Sequence, residues 1–133
     1  NVTLIKGHWN YNLMSDTELK NLYQKSRITI IPLVESLQPS GQSVALQSMS
    51  VGTPVFISKT RGFWDSNKFS NMKNIILVEN NDLDNWVNTI DLLYKNENTL
   101  LNIAEEAKKN VKEGFDITIF NKNLSKLIGI ENE

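Results

Sequence analysis

The chain has 133 residues, of which 40% are hydrophobic and 22% charged, the make-up of a single globular domain over residues 1–133. Its 14 basic and 15 acidic residues leave a net charge of -1, which argues against a nucleic-acid-binding footprint. Cysteine is absent and His8 is the one histidine, so disulfides, thiolate catalysis and a cysteine- or histidine-built metal centre are excluded.

No apolar run approaches the length of a membrane span, and no leader peptide is visible. The first residue is Asn1, and the chain reads as a piece of something longer.

Residues 2–6 are β-branched and apolar and stop at Gly7, which predicts a short strand. A link follows. Ser15 with Glu18 three residues on forms a capping box, and Leu19, Leu22 and Tyr23 share one face of the helix it opens. The run 28–34 is almost wholly apolar, as in a strand covered on both faces, with Pro32 near its carboxyl end. The next segment suits a buried helix carrying Val44, Ala45, Ser48 and Met49, stopped by Gly52 and Pro54. Residues 55–58 and 75–78 read as two further buried strands, with a glycine-bearing loop from Lys59 to Asp65 between them. Three helices end the chain. Leu83, Trp86, Ile90 and Leu93 make a stripe on the first, and the second ends at Gly114. Ile117, Phe120, Leu124, Leu127 and Ile128 point inward on the third. Alternating apolar strands and helices predict an α/β fold: a Rossmann-like, three-layer parallel sheet with helices on both faces.

The stretch Gln38 to Ser43, Gln-Pro-Ser-Gly-Gln-Ser, stands where a strand end feeds a helix. In an open parallel sheet, ligands sit beyond the carboxyl ends of the strands. A helix start offers free backbone N–H groups and the positive end of a dipole, which suit a phosphate. Gly41 allows close approach, and Ser40 and Ser43 add hydroxyls. The same residues also fit a plain N-cap, with Ser40 or Ser43 satisfying its own helix and Gly41 making the turn.

Leu22-Tyr23, Pro32-Leu33, the run Leu46 to Gly52 and Pro54-Val55 stand in register with a family pattern. In these residues the chain resembles the carboxyl-terminal domain of retaining, two-domain GT-B glycosyltransferases of the glycogen-synthase and sucrose-synthase kind. The resemblance runs from Val2 to the last helix. It implies a domain that holds a nucleoside-diphosphate sugar, with the diphosphate on Gly41, Gln42 and Ser43. A family glutamate that holds the ribose falls at Gln47, and one that touches the donor sugar falls at Pro39. Glu35 is on the same loop but out of register. The family's basic pair precedes anything matching Val2, and the acceptor site belongs to an amino-terminal domain missing here. The chain alone is therefore expected to be inactive.

The resemblance also makes residues 2–6 the third strand of a doubly wound sheet whose first two strands are missing. Either that strand moves beside the next one, or a second copy of the chain covers the exposed edge as a homodimer. No resident cofactor or metal is implied, and the expected compartment is the cytoplasm or the cytoplasmic face of a membrane. Other readings of the same half are a nucleotide- or phosphosugar-binding or assembly module without transfer, or half of a nucleotide-sugar epimerase.

Four further features have plain readings. His8 and Trp9 follow a strand end where a base could lie, or form an ordinary loop. Arg61 could reach a phosphate, but an exposed surface arginine is the default. Asp82 and Asp84 open a helix, where acidic residues suit the dipole better than they suit a metal. Glu105, Glu106, Lys108 and Lys109 form a solvated helix face.

Overall fold

The structure is a computed structural model that describes residues 1–5 and 14–129. Three parallel strands make the sheet: β1 (Thr29–Ile31), β2 (Val55–Ser58) and β3 (Ile76–Val78), in that order. Helix α1 (Asp16–Lys25) precedes β1, and α2 (Gln42–Ser50) joins β1 to β2. After β3 come a 3-10 turn (Glu79–Asn81), α3 (Leu83–Tyr94), α4 (Glu97–Gly114) and α5 (Ile117–Leu127).

Alternation along the strands divides the core in two. Val55 and Ile57 join Ile31, Ile75, Ala45 and Met49 in one cluster, which Trp64, Phe69 and Ala107 close. Phe56 joins Ile76 and Val78 on the other face, packed against Trp86, Leu93, Leu100 and Ile103. Helix α4 thus serves both clusters. Each of these large apolar side chains, taken out of water, stabilises the fold by about 1.5–3 kcal/mol. The α/β reading and the three later strands form, and Trp86 is core, but β1 is a short edge strand with Ile30 exposed and is not covered on both faces as its apolar run suggested.

Two expectations fail. Val2 to Ile5 carry no strand, and Val2 and Leu4 are exposed. Lys6 lies outside the described residues. A strand needs a neighbour to take its backbone groups, and no described strand pairs with the outer edge of β1. Helix α5 forms, but Ile117, Phe120, Leu124, Leu127 and Ile128 are all exposed. Its period was right; its burial was not. The two clusters are completed by residues of α2, α3 and α4 with Phe115, and no α5 side chain enters them. Smaller departures have the same cause. Leu83 and Val44 stand at the margins of their helices' buried faces and are exposed.

Polar groups fasten the sheet's carboxyl edge. Pro32 brings no N–H and the β1 ladder stops at Ile31. The next amide, Leu33 N–H, donates instead to the buried Ser58 hydroxyl at 2.8 Å. Ser58 donates in turn to Asn81 Oδ1 at 2.6 Å, and Asn81 Nδ2 donates back to the Leu33 carbonyl at 2.6 Å. Trp86 Nε1 completes the set on Asn81 Oδ1 at 2.9 Å. Asn81 does this from a left-handed backbone, φ 36°, which asparagine tolerates better than most residues.

Removing the Ser58 hydroxyl leaves the Leu33 amide and the Asn81 amide group short of partners. Ser58→Ala should therefore lower unfolding free energy by about 1–3 kcal/mol in urea titration. The neighbouring exposed pair Lys59–Glu79 gives the contrast: Lys59→Ala should change stability by less than about 1 kcal/mol.

Candidate functional site

The loop from Pro32 to Gly41 is the one that carries β1 into α2, and a second loop after β2 clamps it. Glu35 Oε1 accepts from both the main-chain N–H and the Nε–H of Arg61, each at 3.1 Å. Gly62 N–H donates to the Ser36 carbonyl at 2.8 Å. Trp64 Nε1 donates to the Ser40 carbonyl at 3.2 Å. Gly62 is there because nothing larger fits: a β-carbon would lie 2.6 Å from the Leu37 carbonyl carbon and 2.7 Å from the Gln38 oxygen.

The clamped loop delivers Gly41 as the N-cap of α2, in the left-handed region at φ 75°, ψ -2°. A β-carbon there would stand 3.0 Å from Ile57 Cδ1 and 3.1 Å from Ile31 Cγ2. The helix start therefore sits on the carboxyl ends of β1 and β2, the ligand edge of such a sheet. Its first internal bond runs from Ala45 N–H to the Gly41 carbonyl at 2.9 Å.

No side chain caps this helix, and its first turn has no acidic residue. The plain N-cap reading of Ser40 or Ser43 is thus not what forms. The contrast with the other helices is sharp, for Ser15, Asp82, Asn96 and Asp116 each cap theirs. Gln42, Ser43 and Val44 are exposed residues, and as the first turn of a helix their amides have no partner within it.

Of the residues singled out from the sequence, Gly41, Gln42 and Ser43 lie together at this helix start. Ser40 precedes them, exposed, with its carbonyl engaged by Trp64. Gln47 is farther along α2 and lines a cleft of about 310 Å³ against α1, with Asp16, Lys20, Tyr23 and Ser50. Burial pushes the Tyr23 hydroxyl's pKa up. Glu35 is engaged through one oxygen: the Arg61 main-chain N–H first, and its guanidinium second, hold the carboxylate below its ordinary pKa. Arg61 is exposed, as the default reading has it. Asp82 Oδ1 accepts from Asn85 N–H at 2.9 Å and so serves the start of α3. Glu105, Glu106, Lys108 and Lys109 are exposed. His8 and Trp9 lie outside the described residues. Gly62, Trp64, Ser58 and Asn81 were not evident from the sequence. Only the glycine after Arg61 gave a local signal of close approach.

A parallel sheet whose carboxyl edge presents an uncapped helix start defines a Rossmann-like α/β domain. The comparisons with known proteins make this narrower. Residues 5–110 match the family model described as glycosyl transferases group 1, and the chain belongs to that family. It is similar in fold to the crystal structure of Anabaena Alr3699/HepE in complex with UDP and glucose. That match has a TM-score of 0.69 at 18% identity and covers 84% of this chain and 29% of HepE. The HepE structure in complex with UDP-glucose matches at a TM-score of 0.68 and 18% identity, over 84% of this chain and 30% of that one. The fold is that of part of a GT-B glycosyltransferase, and the chain spans less than a third of those structures' length. Among curated proteins no match was found.

Two measurements check this geometry. Gly41→Ala places a β-carbon at positive φ against Ile57 and should lower stability by about 1–2 kcal/mol. Gly52→Ala shares the positive φ but would meet only Lys108 Cδ at 3.8 Å, so it should cost less. By NMR, the Glu35 carboxyl should titrate below the ordinary glutamate range. A depressed folded-state pKa means that the contribution is present at neutral pH and lost as pH falls through it. The clamp should therefore loosen on acidification and not on raising the pH.

Proposed function

We propose that the chain is the donor-binding half of a retaining glycosyltransferase, which moves a sugar from a nucleoside-diphosphate sugar to an acceptor. The observation that carries this is the α2 start: within the family-matched segment, at the sheet's carboxyl edge, its amides are left without a cap. A diphosphate supplies the missing acceptors, and the helix dipole favours its charge. The amides of Gln42, Ser43 and Val44 take the phosphate oxygens, with the Ser40 and Ser43 hydroxyls as further donors. The bare Gly41 lets the ligand come close. The nucleoside extends along α2 into the cleft with α1, where the Gln47 amide bonds the ribose hydroxyls.

The chain binds and does not transfer by itself. Pro39 has no carboxylate for the donor sugar, Gln47 has no charge, and Glu35 is held by Arg61. The acceptor and the groups that act on it belong to a second domain. Those same three residues favour one other reading, a domain that holds the nucleotide without taking part in transfer.

A thermal-shift panel of UDP, GDP, ADP and their sugars tests the proposal. One base class should stabilise the chain, by about 2.7 kcal/mol at a hundredfold excess over Kd. Gly41→Leu should abolish the shift. Ser43→Asp, whose carboxylate suits the helix dipole but repels a diphosphate at the same amides, should reduce it while leaving the fold intact. No stabilisation by any of the ligands would refute the donor-site reading.

A further inference from the structure

Tyr23 is the buried residue of α1, only 4% exposed, and its phenol hydroxyl has no hydrogen-bond partner among the described residues. The residue itself is held, since its carbonyl accepts from the Thr53 hydroxyl at 2.7 Å. Other buried polar groups behave differently. Ser48, Ser58 and Asn74, and the indoles of Trp64 and Trp86, all bond within the chain. Nor is the Tyr23 hydroxyl sealed in, because among the described residues no fully buried side-chain oxygen lacks a partner. It opens on the cleft between α1 and α2, which Tyr23 lines.

The rest of that cleft mixes apolar and polar groups. Leu19 and Val51 are apolar, while Asp16, Lys20 and Gln47 bring polar ends. The ion pairs among the described residues are Lys59–Glu79, Arg61–Glu35 and Lys95–Asp91, so none of them takes up Asp16 or Lys20. Apolar walls with a few hydrogen-bonding groups suit a heterocyclic base, which is apolar on its faces and polar at its edge. We infer that the Tyr23 hydroxyl, inside this cleft, donates to the base of the donor nucleotide. This contact rests on the donor reading for the identity of its ligand, but the cleft and its unpartnered hydroxyl do not depend on the α2 start. The two places are in reach of one molecule: Gln47 stands one helical turn beyond Ser43, about 6 Å along α2. A buried hydroxyl without a bond is costly, and a base carbonyl or ring nitrogen removes that cost. Binding thus gains from a group that the fold leaves unused.

NMR titrations of the isotope-labelled chain with uridine, guanosine, adenosine and inorganic pyrophosphate test this. One nucleoside should shift the amides of Lys20, Tyr23, Gln47 and Val51, and Tyr23→Phe should weaken it roughly five- to tenfold. Pyrophosphate should shift Gln42, Ser43 and Val44 and be indifferent to that substitution. The variant's midpoint in urea should match the parent's, because the hydroxyl has no partner in the chain to lose. Undiminished nucleoside binding by Tyr23→Phe, or no cleft shift with any nucleoside, would overturn the role of Tyr23. A loss of stability with equal weakening of both probes would assign the hydroxyl to the fold and overturn it as well. Pyrophosphate shifts without nucleoside shifts would leave the diphosphate site standing alone. Nucleoside shifts without pyrophosphate shifts would sink that site and keep the cleft.

Discussion

Gly41 stands against Ile31 and Ile57 in a backbone conformation that side chains resist, and the carboxyl edge of the sheet is organised around that contact. Because it has no β-carbon, α2 begins directly on the ends of two strands. One methyl group would push the helix start off the sheet or force the isoleucines aside. Gly62 does the same for the opposing loop, whose backbone reaches the Leu37 and Gln38 carbonyl groups only for want of a side chain. Two bare positions, one on each loop, let two chain segments close on each other at the place where a ligand would sit.

That closeness leaves backbone groups to be satisfied, and apart from Glu35 on the Arg61 amide the chain does so with neutral side chains. Ser58 and Asn81 stand in for the ladder that Pro32 interrupts, linking β1 to the turn after β3 although those strands are not neighbours. On the opposite side of the loop, the Trp64 indole holds the Ser40 carbonyl while its ring packs edge-on to Phe69 at 4.8 Å. Among the described residues no buried side-chain nitrogen or oxygen lacks a partner. A fully satisfied network of this kind fixes one arrangement, since any other leaves a polar group without a bond.

What was legible in the sequence was what is decided locally. The capping box of Ser15 and Glu18 forms with both of its bonds, because each partner lies three residues away. Gly52 ends α2 with φ 87°, and Asp82 caps α3, for the same reason. The apolar runs gave three strands; in β2 burial on both faces leaves no polar alternation, whereas edge strand β1 keeps its apolar run with Ile30 exposed. The failures share the opposite property. Residues 2–5 have the composition of a strand, but a strand is defined by its neighbour, which a sequence window does not contain. The α5 stripe has the period of a packed helix, and period says which side is apolar, not whether anything covers it. The Ser58–Asn81 link spans 23 positions, and neither residue differs in kind from any surface serine or asparagine. At the site the position of the helix start was legible, whereas the Glu35–Arg61 contact, made across 26 positions, was not.

The uncapped start of α2 is best understood through what holds that helix in place. A missing cap costs a helix about 1 kcal/mol, and α1, α3, α4 and α5 all avoid that cost. Helix α1, with only Tyr23 buried, and α5, with no buried residue, lean on their caps. Helix α2 does not need to. Ala45, Ser48 and Met49 are wholly buried, and the Ser48 hydroxyl bonds both Thr29 and the Thr53 carbonyl. Thr53 reaches on to the Tyr23 carbonyl, so α1, α2 and the approach to β2 are joined through one buried patch. A helix anchored along its length by packing can leave its first amides open without fraying. That is the condition a ligand site at a helix end requires: donors fixed in place by groups that the ligand never touches.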